Sequence, residues 1–432
     1  MITVRTERRQ LLRHQHSDDT GYFPRIPIVI GLALSVPAAL LISALHGFLD
    51  LQVYRVDTLA WLHRGALYGP PLPVAGHTDL PFTYPPSAAV LMAPLAVMPL
   101  WLAEIAVTAS SLACLWVTIR LVLSRVRPDL NPRSTAILAT PVVLATAALE
   151  PVHTTLWFGQ INIILMAAVA LDCLTEKPRW PRGVLIGIAA VTKLTPAAFV
   201  LYLLIRRDWK AAGTAAATAA GVVLAGFVLF PRTSTQYWLH AIVETGRIGA
   251  PYYAGNQSLK GMVYRLGLPE STAVALWLGV GLAVVAAGAV AMYLLLRAER
   301  TAGTGPIATG HTPAITKLSV AALLVNAAVL LLVSPVSWTH HWVWVAPALV
   351  TAALWSTSRS AAAVAGAIAV VTAPFLLGQV LVPGGGDREL DWNWWQHLLG
   401  NTYVLVAVAL LGLALTRLLR RRAPALPATQ SG

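Results

Sequence analysis

The chain has 432 residues, of which 57% are hydrophobic and 11% charged, with a formal net charge of +13 and a mean hydropathy of +0.67. Charged residues stand at less than half the roughly 25% of ordinary globular chains, which excludes a soluble enzyme and predicts an all-α polytopic membrane protein. The excess of positive charge does not indicate nucleic acid as a partner, because the basic residues form short clusters between apolar spans rather than one aromatic-interleaved face.

In chain order, a basic arm over 1–25 (Arg5, Arg8, Arg9, Arg13, Arg25) precedes a first apolar span near 26–45. That span is long and lacks a small-residue cleavage site, so it reads as a retained helix. Further full spans are expected near 101–124, 134–149, 160–175, 211–230, 272–296, 317–334, 342–357, 361–382 and 400–417. Pro86–Pro99 is short and proline-broken, and Gly183–Ile205 has basic clusters at both ends; each reads as a re-entrant pair of short helices. The total is about 10–13 transmembrane or re-entrant helices, in one domain over 26–418 with a tail over 419–432 and loops near 46–86, 231–271 and 383–399. Ala298–Thr316 reads as a flexible Gly/Thr-rich loop. Basic clusters at the arm, Arg120–Arg133, Lys177–Arg182, Arg206–Lys210, Arg297–Lys317, Arg359 and Arg417–Arg422 mark the cytoplasmic side.

With the sides set in this way, the polar residues hardest to explain as solubilising loop converge on the outer face. Asp57 lies beyond the first span in a segment able to lie along the membrane surface, where desolvation and nearby cations tune a carboxylate toward general-base work. A surface aspartate paired with Arg55 or Arg64 is the alternative. Lys193 stands among apolar residues beside Pro196; an intramembrane charge faces a cavity or a partner, so it suits a lipid phosphate, or else pairs with Glu104 or Glu150. His340 and His341 open a helix flanked by Trp338 and Trp342, and at least one imidazole is expected to point inward toward a phosphate.

Gln160, Asn162, Asn256 and Gln257 are amides at membrane boundaries, able to bind sugar hydroxyls or to cap and bridge helices. Trp392, Trp394 and Trp395 offer either a sugar-stacking surface or an aromatic belt. The acidic run Asp387–Asp391 reads as a solvated loop, although it could attract a divalent ion. Adjacent histidines diverge around a helix and no HExxH is present, so no metal is expected; two cysteines, Cys114 and Cys173, cannot build a metal site. Nucleotide-binding and serine-hydrolase motifs do not occur.

Taken together, Asp57, Tyr84-Pro85-Pro86, Gly159-Gln160-Ile161-Asn162, Lys193-Leu194-Thr195-Pro196, Asn256-Gln257-Ser258 and the block from Ser334 to His341 resemble glycosyltransferase family 87, actinobacterial membrane enzymes of GT-C type. The resemblance runs from about Asp50 to Tyr403. It implies inverting transfer of mannose from polyprenyl-phosphate mannose, without a cofactor, to a mannose hydroxyl of a phosphatidylinositol mannoside, in α-1,2 linkage at the outer face of the plasma membrane. It also implies Asp57 as the first-loop catalytic aspartate. Lys193, His340 and His341 would then hold the donor phosphate, and Tyr84, Gln160, Asn162, Asn256, Gln257, Trp338 and Trp395 the sugars. Branching of lipomannan or lipoarabinomannan is the alternative acceptor reading, and a lipid or solute transporter the alternative of a different class.

Overall fold

The computed structural model describes residues 37, 40–42, 44–45, 47–74, 78–303, 315–355, 361–377 and 381–420. The basic arm, most of the first span, Arg359 and the end of the tail lie outside the described residues. Helix α1 (Leu49–Leu62) is followed by a small antiparallel hairpin of β1 (Leu72–Val74) and β2 (Thr78–Leu80), in which Leu72 pairs with Leu80. Next come α2 (Pro86–Val97), α3 (Leu100–Val126), α4 (Pro132–Thr146), α5 (Glu150–Phe158) and α6 (Asn162–Leu174). Pro86 begins α2, where its missing N–H costs nothing, and α2 runs as one helix through Pro94 rather than as the expected re-entrant pair.

Among the described residues, four helices are long and apolar enough to cross a membrane: α3, α9 (Trp209–Leu229), α12 (Glu270–Gly303) and α17 (Thr402–Arg420), with α10 (Pro231–Gln236) and α11 (Leu259–Tyr264) between α9 and α12, and α15 (Ala361–Leu377) ahead of α17. The span expected near 134–149 is instead broken, α4 and α5 meeting at 83°. The span expected near 342–357 begins as a 3-10 turn over Thr339–Trp344 before α14 (Val345–Trp355). Such breaks are tolerated at membrane depth where the freed backbone groups are enclosed by protein. Helix α12 continues to Gly303, into the loop expected from Ala298; residues 304–314 lie outside the described residues.

The segment expected to enter and return does so. Helix α7 (Val184–Thr192) stops at Lys193, a 3-10 turn covers Thr195–Phe199, and α8 (Val200–Arg206) leads into α9. A Cβ on Gly183 would lie 2.1 Å from the Ala211 carbonyl oxygen, and one on Gly187 2.7 Å from that of Ala215. The contacts advance in the same direction on both helices, so α7 and α9 are parallel and the chain between them must run back. Lys193 is therefore at the tip of the hairpin.

At one end of the bundle the expected cytoplasmic clusters meet. Asp172 accepts from Trp180 Nε1 and from the amides of Gly183 and Ile186, Arg125 pairs with Glu176 at 2.6 Å, and Arg206 lies 3.4 Å from Glu299. Glu299 also accepts from the Thr316 amide, at the start of α13 (Lys317–Val333). At the opposite end Tyr403 donates to Glu150 at 2.7 Å, and the loops around 250–258, 335–339 and 383–401 lock together. A core of Leu115, Ile119, Ile163, Met292, Leu323 and Leu332 fills the space between the ends.

Candidate active site

Steps of four and three residues bring Asp50, Tyr54 and Asp57 to one face of α1. Tyr54 meets Tyr84, which precedes α2, with hydroxyls 3.0 Å apart; both donate to Gln160 Oε1, at 2.8 and 3.2 Å. Gln160 sits in the turn between α5 and α6, and that turn approaches α1 closely. Gly159 has φ +66°, and a Cβ there would stand 2.7 Å from the Leu51 Cβ, so a larger residue would push the turn off α1. The Gln160 side chain also hydrogen-bonds the Asp50 carboxylate.

On the other side of that turn, Asn162 donates to the His340 carbonyl at 2.9 Å and accepts from Lys193 Nζ at 2.8 Å. The Lys193 ammonium lies 3.0 Å from His341 Nε2 and 5.4 Å over the Tyr84 ring. An ammonium offers only protons, so His341 Nε2 accepts; its other nitrogen carries the hydrogen and bonds the Val336 backbone. Thr155 pins the His340 carbonyl from the far side at 2.9 Å, and the His340 ring stands edge-on to Phe158. His340 Nε2 is buried without a hydrogen-bond partner, in a residue 7% exposed. An unmet ring nitrogen beside an ammonium is a ready place for an anion. Beside this group lies a small cavity lined by Asn162 and His341 together with Leu165, Met166, Phe199, Leu330 and Trp344.

Six of the expected residues, Tyr84, Gln160, Asn162, Lys193, His340 and His341, thus form one constellation from segments far apart in the chain. The other expected residues lie apart from it. The carboxylate facing Lys193 is Asp50, whereas the charge acting on Asp57, two turns along α1, is Arg247. Spacing contained a signal for this, since Asp50 repeats Asp57 on the same helical stripe.

Asn256 and Gln257 are fully buried and spend their amides on backbone: Asn256 on the Pro251 and Pro335 carbonyls and the Ser337 amide, Gln257 on the Ala254 and Gly400 carbonyls. Through these bonds they hold the segment that delivers His340 and His341, while Gln257 Oε1 is buried without a partner. Trp338 pairs with Asn256 through backbone and packs its ring on Tyr253, and Trp395 is 42% exposed on α16 (Trp394–Gly400), apart from the constellation. The acidic run is likewise partly structural, with Glu389 accepting from the Ala254 and Gly385 amides. Among the described residues, no three His, Cys, Asp or Glu side chains gather as metal ligands.

Beneath this lock lies Arg265, fully buried and donating to the carbonyls of Tyr252, Tyr253 and Asn256 and to Asn401 Oδ1 at 2.6 Å. Removing its donors strands several buried acceptors at about 1–3 kcal/mol each. Arg265→Met is expected to lower the unfolding midpoint in detergent by several degrees; an unchanged melting curve would show that the lock contributes nothing to stability.

The model of Glycosyltransferase family 87 matches residues 82–310. Over 384 residues the chain is 39% identical to a polyprenol-phosphate-mannose-dependent alpha-(1-2)-phosphatidylinositol mannoside mannosyltransferase of Mycolicibacterium smegmatis, covering 84% of this chain and 82% of that one. The chain belongs to glycosyltransferase family 87. A protein of the same description from Mycobacterium tuberculosis is 36% identical, over 90% of this chain and 89% of that one. A polyprenol-phosphate-mannose-dependent alpha-(1-2)-phosphatidylinositol pentamannoside mannosyltransferase of M. smegmatis is 29% identical, over 91% and 94%. The match of the family 87 model spans Tyr84, Gln160, Asn162 and Lys193, while Asp50 and the two histidines lie outside it and join the constellation through the fold.

Proposed function

We propose that the chain transfers mannose, with inversion, from polyprenyl-phosphate mannose to a mannose hydroxyl of a phosphatidylinositol mannoside, in α-1,2 linkage at the outer face of the plasma membrane. One observation carries the reading: the Lys193–His341 pair and the unpartnered His340 Nε2 gather beside a small apolar cavity, and the Asp50 carboxylate, bonded to Gln160, lies within reach of the Lys193 charge. A lipid phosphate fits the first pole, with its prenyl chain passing into the surrounding lipid; an alcohol nucleophile fits the second. A β-linked donor giving an α-linked product requires a single displacement, so the base must lie across the sugar from the departing phosphate. Asp50 takes the acceptor proton, while Lys193 and His340 stabilise the phosphate as the glycosidic bond breaks. No sugar nucleotide is involved. The names of the relatives support both donor and acceptor class.

Incubating purified protein with polyprenyl-phosphate mannose and mannosylated phosphatidylinositol is expected to yield polyprenyl phosphate and an acceptor heavier by one hexose in 1,2 linkage. Movement of labelled lipid across vesicles without bond cleavage would overturn the proposal in favour of a transporter. The same assay carries a pH signature. Burial pushes the Asp50 carboxyl up to about 6, against the opposing effects of the Gln160 hydrogen bond and the Lys193 charge. Only the ionised form accepts a proton, so acceptor kcat/KM is expected to rise with pH through about 6, with slope near one on the acid side, and then level. Asp57, raised by burial to about 7 with Arg247 opposing, would place the limb a unit higher if it were the base.

A further inference from the structure

The constellation around Asp50 leaves one buried carboxylate unexplained. Asp57 is 4% exposed, and its Oδ2 has no hydrogen-bond partner. Leaving a carboxylate oxygen unmet inside a protein is costly, which is why such groups are normally paired or reserved for a ligand. The charge acting on Asp57 is Arg247, from the loop after α9, but no ion pair joins them; Arg247 instead lies 3.9 Å from Glu244 and 6.0 Å over the Tyr68 ring.

A connected wall of buried aromatic rings runs from Tyr54 of α1 to Tyr237. Tyr54 stands edge-on to Tyr84 with ring centres 5.3 Å apart and Tyr84 edge-on to Phe82 at 5.7 Å, while Phe82 and Tyr68, at 6.2 Å, and Tyr68 and Tyr237, at 5.3 Å, are tilted to one another. A cation overlies the wall at each end, Lys193 on Tyr84 and Arg247 on Tyr68. Seven residues of helix separate the two carboxylates by about 10 Å along one face. Two carboxylates on one face of α1 and a guanidinium near the second are groups that hold sugars, since hydroxyls donate to carboxylates and accept from a guanidinium.

We propose that Asp57 and Arg247 form a second sugar subsite, which holds the ring next to the reacting mannose, so that the acceptor is recognised over two sugar rings. The reacting ring lies at Asp50 and the ring toward the lipid anchor lies beside Asp57, with its hydroxyls donating to Asp57 Oδ2 and accepting from Arg247. This rests on the transferase function proposed above. Asp57 is then a binding residue and takes no proton from the nucleophile.

The test compares two synthetic acceptors, octyl α-mannoside and an octyl dimannoside, with polyprenyl-phosphate mannose as donor. The wild type is expected to prefer the dimannoside at least tenfold in kcat/KM. Asp57→Asn is expected to reduce that preference to near one, chiefly through a higher KM for the dimannoside, while kcat at saturation changes much less. Arg247→Gln, altering a side chain 23% exposed, is expected to act in the same direction and guards against a folding defect at Asp57. An Asp57→Asn loss of kcat that is equal for both acceptors would overturn the subsite and make Asp57 part of the reacting centre. An unchanged preference in both variants would overturn it as well. A wild type that transfers mannose to neither acceptor overturns the transferase reading and the subsite with it, whereas efficient transfer without a dimannoside preference overturns the subsite alone.

Discussion

Asp50→Asn is expected to lower kcat by about 10²–10⁴-fold, the usual contribution of a positioned general base, with the donor KM changed only a few-fold. Asparagine keeps the shape and can still meet the Gln160 side chain, so the Tyr54–Tyr84–Gln160 triangle and the turn at Gly159 remain in place. What is lost is the negative charge that takes the acceptor proton. The measurement is steady-state release of polyprenyl phosphate, together with the melting curve. A folded Asp50→Asn protein that turns over at the wild-type rate would remove Asp50 from the chemistry. The acid limb near pH 6 is expected to vanish along with the activity, because it reports the same ionisation.

Lys193→Met acts on the opposite pole. Methionine has the length and apolar stem of lysine without the ammonium, so the tip between α7 and the following turn can still fill its space. The variant loses the bond to Asn162, the contact with His341 and the cation over Tyr84. Losing one preorganised donor to a developing anion costs about 10²–10³-fold in kcat, and donor affinity is expected to weaken as well, since the phosphate is charged before and after the reaction. Binding of polyprenyl phosphate, measured without acceptor, separates the two effects. Should Lys193→Met bind polyprenyl phosphate and transfer mannose as the wild type does, the phosphate must sit elsewhere.

Both variants probe residues that differ in how readable they were. Lys193 was legible because a lysine inside an apolar run has few bland explanations: it must face a partner or a cavity, and its expected carboxylate partners are occupied elsewhere, Glu150 by Tyr403 and Thr154. Gln160, Asn162 and the histidine pair stood out for the same reason, as polar groups at the ends of apolar stretches. Asn256 and Gln257 gave an identical signal and mean something different. An amide satisfies a backbone carbonyl as well as it does a sugar hydroxyl, and the proline-bounded loops around Pro251 and Pro335 leave carbonyls that need such donors. Their use depends on which loops come together, and that is not a local property.

The choice between Asp50 and Asp57 has the same origin. Both lie on one stripe of α1, both are flanked by apolar and aromatic residues, and a helix carries no mark of which turn will meet a distant lysine. The decision is made by Gly159, which lets the α5–α6 turn close onto Leu51 and so sets Gln160 and the Lys193 cluster opposite the first turn of α1 rather than the third. Composition and periodicity were enough to establish a helical membrane protein, the grouping of its basic clusters at one end, and the polar residues with something to do, because the cost of burying charge and backbone in an apolar medium leaves few alternatives. Which carboxylate comes within reach of Lys193 and which amides bond backbone were decided by long-range packing, since those depend on distances between segments that local energetics does not encode.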